Sequence, residues 1–457
     1  MNAIIKPHHF SGTVRIPASK SHTIRRLLIA ALAQGVSEIE YPLDSLDARS
    51  CVAACRALGA QITEHRAVDP TSPNPVDGEG KKLVRWTVKG TGTKLTELAA
   101  TAGINIDVGN SGTTLYLTLA AAALGQVPVR FDGDAQIRRR SAAPLLAALA
   151  GLGVRAESEG GNGCAPIVIQ GPWKGGSISI ECPTSQYLSA LLIAAPLAPT
   201  GTLTEITVPL LNEKPYVEMT LAYLDAQGIV YEKQADLSRF RIPGGNAYRP
   251  LSGPVPGDFS SAAFPAAAAA ISGGPVRLLG LDPNDTQGDK AFFDVLQQMG
   301  CDTRWEENAA GRSNTAAPEA ARPVLSIERS GPLRGGRFDL NNTPDMLPAC
   351  AVVAAFAQGD TALVNVAHAR IKETDRIAVM AAELGKLGVK VTERADGLII
   401  HGTGAALRGG KIDSYTDHRI VMAFAAAALG ASGPIEISGA ESAAVTYPGF
   451  LELLGAV

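Results

Sequence analysis

Six times along the chain a short polar cluster is followed by a run of small apolar residues, the pattern of a capped helix. The first three copies are SKSHTIRRLLIAALA from Ser19, NSGTTLYLTLAAAALG from Asn110 and TSQYLSALLIAAPLA from Thr184. The second half repeats the theme with GDFSSAAFPAAAAAI from Gly257, TPDMLPACAVVAAFAQG from Thr343 and TDHRIVMAFAAAALG from Thr416. With Ser21, Ser111, Ser185, Ser260, Asp345 and His418 as markers, the steps are 90, 74, 75, 85 and 73 residues. Such a period exceeds the roughly 20–50 residues of solenoid repeats, so each copy is a larger α/β unit.

WKGGSISIECPTSQ, LRGGRFDLNNTPD and LRGGKIDSYTDHR each read as Gly-Gly, a short alternating strand and then the polar cluster. A second, amphipathic helix is predicted in the units by PLLAALAGLGV from Pro144, VEMTLAYLDAQGI from Val217, FFDVLQQMGC from Phe292 and IAVMAAELGKLGV from Ile377. Each unit therefore holds about two helices and several strands, and six units divide three and three. The stretches Val68 to Lys82 and Glu306 to Pro323 read as surface insertions between strands.

The 457 residues exceed one domain, and 46% hydrophobic with 19% charged residues describes a folded chain. The 48 Gly and 29 Pro imply frequent turns. With 41 Lys and Arg against 44 Asp and Glu, a net charge of −3 and only 5% aromatics, a nucleic-acid partner is disfavoured. The N-terminal MNAIIKPHHFSG is not a secretory signal, no apolar run reaches membrane length, and Pro265 interrupts the longest Ala-rich stretch. Six cysteines without C-x-x-C or metal-ligand spacing fit a reducing compartment without structural zinc. A cytoplasmic protein with no metal or cofactor and no membrane partner is the expectation.

The helix starts carry the candidate chemistry. Ser, Thr, Asn and Asp cap exposed N–H groups, and the positive end of the helix dipole attracts anions. Helix starts aimed at one cleft would attract phosphate and carboxylate even in a slightly acidic chain. Lys20, Arg25 and Arg26, then Arg138, Arg139 and Arg140, supply cations; Asp345, the KETDR run of Lys372, Glu373, Asp375 and Arg376, and Asp417 with Arg419 add acids and further cations. Taken singly, each has a plainer reading: a solvated helix start for Lys20, Ser21 and Arg25, a surface run for Arg138 to Arg140, an N-cap for Asp345, and a salt-bridged helix start for KETDR. Their recurrence at equivalent places in the repeats favours a site for polyanionic substrates with acid/base groups. No Walker-type phosphate loop and no H-E-x-x-H is present, so ATP and zinc chemistry lack support.

PASKSHTIRRLLIAALA, GNSGTT, SQYLSALL, GDFSSAA, NNTPD, RIKETDR and DHRIVMAF, in this order over the whole chain, resemble the enolpyruvyl transferases, and within them the branch acting on shikimate 3-phosphate. The resemblance implies an α/β fold, an inside-out α/β barrel of two domains with three βαβαββ repeats each. Residues 18–255 would form the first domain, and residues 1–17 with 256–457 the second. It implies transfer of the enolpyruvyl group of phosphoenolpyruvate to the 5-hydroxyl of shikimate 3-phosphate, by a monomer whose domains close on small-molecule substrates. Asp345 would be the base near the 5-hydroxyl, Glu373 the acid/base for the methylene carbon, and Lys20 would stand between both substrates. Ser21, Arg25, Thr184, Ser185, Gln186, Tyr216 and Lys372 would hold shikimate 3-phosphate, together with Lys20 and Asp345. Gly112, Arg140, Arg376 and Arg419 would hold phosphoenolpyruvate with Lys20 and Gln186.

The chain departs from the family pattern at several places. Val445 stands where many relatives carry Lys, Glu213 where a Ser precedes KPY, His368 where Asn is common, and Tyr116 and Leu117 where Arg-Pro is common. The resemblance also implies competition by glyphosate, with Gly112 leaving room for it and Val445 and Leu117 weakening it. Two rival readings are a sister transferase acting on UDP-N-acetylglucosamine through a loop thiol such as Cys164, and a non-catalytic anion-binding relative. Retention of Asp345 and Glu373 opposes the latter.

Overall fold

The computed structural model describes residues 1–92, 103–307 and 323–456. They form two compact units, one of Met1–Ser19, Pro73–Pro75 and Pro256–Val457, the other of Lys20–Ser72 and Val76–Val255. The repeat read from the sequence is present as six small sheets among the described residues. The copy between 176 and 243 shows its plan. Strand Gly176–Ser179 leads into helix Ser185–Ala194, strand Leu203–Thr207, helix Lys214–Gln227, then the strand pair Glu232–Lys233 and Arg239–Pro243. The first two strands pair in parallel across the helix, as a βαβ crossover requires, and the last two add antiparallel. This is a βαβαββ unit.

Three sheets borrow a strand from a distant part of the chain. Gly12–Arg15 pairs in parallel with Val276–Leu279, and Asn2–Ile5 pairs antiparallel with Ile435–Ser438. In the other unit, Ser252–Pro254 pairs in parallel with Val36–Glu40. The last repeat is incomplete: after Ile435–Ser438 it carries a 3₁₀ turn over Ala440–Val445 and a one-turn helix, Phe450–Leu453, where other copies place their second helix. The second helix of this unit is thus reduced to a single turn.

The first helix of each repeat is the buried one. Helices Phe259–Ser272, Leu347–Ala355 and His418–Ala428 pack on one another, and every residue but Ser272 is buried. Alanine on all sides lets their backbones approach closely, while Phe259, Phe264 and Phe424 fill the larger gaps. Pro265, expected to interrupt its stretch, lies inside a continuous helix that Gly273 ends at φ +84. Burial explains this: tertiary packing outweighs the single hydrogen bond that Pro265 removes. In the other unit Gly112–Ala122 packs on Ser185–Ala194 and on Lys20–Leu32, again nearly all buried.

The insertion from Val68 to Lys82 connects the antiparallel strands Gln61–Ala67 and Lys82–Lys89, as expected of an insertion between strands. Most of the second, 308–322, lies outside the described residues, but its flanks Glu306 and Val324 are opposite each other in an antiparallel pair. Among the described residues no helix is long and apolar enough to cross a membrane.

Candidate active site

The caps read from the sequence are present at five helix starts. Ser111 accepts from Thr114 N, Thr184 from Gln186 N, Asp258 from Ser261 N, Asp375 from Ala378 N and Asp417 from Arg419 N. A short polar side chain in extended conformation folds back on the first turn more readily than a solute can reach it.

In the unit containing residues 256–457, Arg376 organises the charges. Its Nε and Nη2 form a fork on Asp417 at 2.7 and 3.1 Å, Nη2 also reaches Glu373 at 2.6 Å, and Nη1 donates to Asp345 at 2.8 Å. Arg376 is 1% and Asp417 0% exposed, so this pair is desolvated and held by geometry. Asp345 receives two further cations, Arg419 Nη2 at 3.0 Å from Oδ2 and Lys372 Nζ at 3.7 Å from Oδ1. The structure thus gathers Asp345, Lys372, Glu373, Arg376 and Arg419 as expected, and adds Asp417, which the sequence offered only as a neighbouring charge.

Burial pushes the Asp345 carboxyl up, but Arg419, Lys372 and Arg376 overcome this and hold it well below the usual carboxylate range. For Arg376, burial opposes the charge, and Asp417, Glu373 and Asp345 outweigh it, leaving the guanidinium raised. Arg419 is raised in the same way, chiefly by Asp345. The buried Nε of Arg419 has no hydrogen-bond partner among the described residues. Asp345 is 26% exposed, while Arg376 and Arg419 beside it are 1% and 4% exposed.

In the other unit, Lys20 Nζ lies 3.1 Å from Asp47 Oδ2. Asp47 was missed, and the repeat holds the signal: it stands in the first turn of a second helix, Leu46–Ala57, beside the start of a first helix. Arg25 is 1% exposed and donates to Thr220 Oγ1 (2.9 Å), Ser189 Oγ (3.3 Å), Ser21 O (3.2 Å) and Tyr216 O (3.2 Å). Burial lowers its pKa to about 10. It ties the helices of Ser21, Ser189 and Tyr216 together. Thr184, Ser185 and Gln186 cluster around a buried carboxylate, Glu213, which the sequence marked only as a departure from the family pattern: its Oε2 accepts from Ser185 N (3.0 Å), Ser185 Oγ (2.7 Å) and Thr184 Oγ1 (3.2 Å). Arg140 Nη2 donates to Asn110 Oδ1 at 3.3 Å, and a Cβ added at Gly112 would lie 2.7 Å from Arg140 Nη1. Arg138, by contrast, is a surface residue forked on Asp132.

Residues 4–454 match the family model described as EPSP synthase (3-phosphoshikimate 1-carboxyvinyltransferase). A 3-phosphoshikimate 1-carboxyvinyltransferase of Acetivibrio thermocellus is 46% identical over 97% of this chain and 95% of its own length. One from Halorubrum lacusprofundi is 40% identical, covering 97% and 94%. The chain belongs to the EPSP synthase family. A solved EPSP synthase from Acinetobacter baumannii superposes with TM-score 0.76 at 28% identity, covering 99% of this chain and 97% of that one.

Within an EPSP synthase chain the departures noted above take definite structural forms. His368 is buried and its Nε2 lies 3.1 Å from Asn341 O. Tyr116 stands edge-on to Tyr187, ring centroids 5.0 Å apart, and Leu117 is buried in an unbroken helix. Val445 is in the 3₁₀ turn Ala440–Val445. Cys164 is buried in a glycine-rich loop, and burial pushes its thiol up, opposite to what a nucleophilic thiolate needs.

Proposed function

We propose that this chain transfers the enolpyruvyl group of phosphoenolpyruvate to the 5-hydroxyl of shikimate 3-phosphate, with Asp345 and Glu373 as its acid/base pair. The observation that carries the assignment of roles is Arg376, whose one guanidinium binds both carboxylates. In the addition step a proton joins the methylene carbon of phosphoenolpyruvate, and the 5-oxygen bonds to the adjacent carbon while its own proton leaves for Asp345. In the elimination step a proton returns from the methyl carbon, the double bond re-forms, and the C–O bond to phosphate breaks. Glu373 handles the carbon-bound proton in both directions.

The low pKa of Asp345 bears on this assignment. A carboxylate held by Arg376, Arg419 and Lys372 is a weak base. Phosphoenolpyruvate brings a carboxylate and a phosphate, and in engaging Arg376 and Arg419 it relieves Asp345 of part of that charge and raises its basicity. Ser21, Arg25, Thr184, Ser185, Gln186, Tyr216 and Lys372 are assigned to shikimate 3-phosphate, Gly112, Arg140, Arg376 and Arg419 to phosphoenolpyruvate, and Lys20 to both.

Phosphate release by purified protein tests the reading. Release is expected with phosphoenolpyruvate plus shikimate 3-phosphate and not with phosphoenolpyruvate plus UDP-N-acetylglucosamine. The reverse pattern would support the sister reaction, and no release with either acceptor a non-catalytic relative.

A further inference from the structure

Among the residues assigned to shikimate 3-phosphate, Thr184 and Ser185 offer the hydroxyl and N–H donors that suit its phosphate, and these donors are already occupied. Glu213 is 3% exposed, and one of its oxygens takes the amide N–H and hydroxyl of Ser185 together with the hydroxyl of Thr184. Thr184 in turn receives Gln186 Nε2 at 3.0 Å, so three of the assigned residues are organised around this carboxylate. The negative charge of Glu213 also acts on the buried Arg25, another member of the set. Glu213 reaches this position from the residue before helix Lys214–Gln227, in a left-handed backbone conformation with φ 56.

A carboxylate and a phosphate dianion cannot share these donors. Both need the same N–H and O–H groups, and at hydrogen-bonding distance in a buried place their like charges repel strongly. We propose that Glu213 is an internal anion that fills the phosphate-holding group of the shikimate 3-phosphate site and must be displaced by the substrate. The inference rests on the functional reading above and deepens it.

Displacement makes affinity a difference between two anions. Shikimate 3-phosphate brings ring hydroxyls and further contacts besides its phosphate. Inorganic phosphate, a product of the reaction, has only its own oxygens to set against a tethered carboxylate of high effective concentration. Displacing Glu213 weakens both anions by the same factor, which shikimate 3-phosphate with its further contacts can bear, while the bare ion no longer binds at concentrations at which it would otherwise compete.

The test compares the wild-type protein with Glu213→Ser and Glu213→Gln. Calorimetric titration with shikimate 3-phosphate is expected to show binding at least about tenfold tighter in Glu213→Ser, with Glu213→Gln between the two, since Gln keeps the shape and loses the charge. In steady state the KM for shikimate 3-phosphate falls in parallel while that for phosphoenolpyruvate stays within about twofold, a split that general loosening of the fold would not give. Inorganic phosphate becomes a competitor of shikimate 3-phosphate in Glu213→Ser at concentrations that leave the wild type unaffected. Unchanged or weaker binding of shikimate 3-phosphate in Glu213→Ser, with enolpyruvyl transfer intact, overturns the role of Glu213 and leaves the functional reading standing. Tighter binding with no transfer by either protein overturns the functional reading alone.

Discussion

Arg376 stands among three carboxylates, and Asp345 among three cations. Removing one charge from such a group leaves the others unbalanced, so Asp345→Asn has two separable effects. Turnover falls by at least about 10²-fold because a proton acceptor is lost. Stability loses a pH-dependent contribution, whose sign follows from the lowered pKa. A carboxyl depressed in the folded state stabilises fully above its unfolded value near ~3.9, and that stabilisation disappears as pH falls through the folded value. The difference in melting temperature between wild type and Asp345→Asn should thus stay constant from neutral pH down to about 5 and shrink below about 4. A difference that vanished between pH 7 and 5 would contradict the depressed carboxyl.

Gly112 yields the second prediction at this scale. An added Cβ meets the tip of the Arg140 side chain, not backbone, so Gly112→Ala should fold normally while displacing that guanidinium. The KM for phosphoenolpyruvate and the inhibition constant of glyphosate should both rise about tenfold, ~1.4 kcal/mol. Unchanged constants in a competition assay would remove GNSGTT and Arg140 from the phosphoenolpyruvate site.

At the scale of elements, the repeated helix pair explains where the charges fall. The second helix of a repeat starts beside the start of the first. The residue there reaches across: Asp47 to Lys20, Arg140 to Asn110, Glu213 to Ser185, Asp289 to Ser260 and Arg376 to Asp345. Half of this was legible in the sequence, because polar clusters before small apolar runs announce the first helices. The other half was not, since Asp47, Glu213 and Asp289 lie in ordinary helix-start sequences whose aim is set only when two helices pack. The packing itself is testable. Ala425, 0% exposed in the helix that meets two others, has no space for a larger side chain. Ala425→Leu should cost about 1–3 kcal/mol by overpacking and lower the melting temperature by several degrees. A melting temperature within one degree of wild type would mean that the three helices are less closely packed than described.

At the scale of the whole chain, six copies of one unit were visible in the sequence, because a period survives divergence of its individual residues. The borrowing of strands could not be read from the residues themselves, and only the family resemblance implied it, by grouping residues 1–17 with 256–457. Gly12–Arg15 and Ser252–Pro254 each precede a buried helix of one unit and complete a sheet of the other, a choice made by pairing partners hundreds of residues away. What the whole chain does is tested most directly by the fate of the methylene protons. If addition followed by elimination proceeds on this protein, turnover of phosphoenolpyruvate and shikimate 3-phosphate in deuterated water passes through a methyl group that has gained one deuterium, and some of it remains after elimination. Proton NMR of the product should therefore show deuterium in the enolpyruvyl methylene with wild type, and turnover reduced at least about 10²-fold with Glu373→Gln. Transfer with no deuterium in the methylene, or undiminished transfer by Glu373→Gln, would contradict the account.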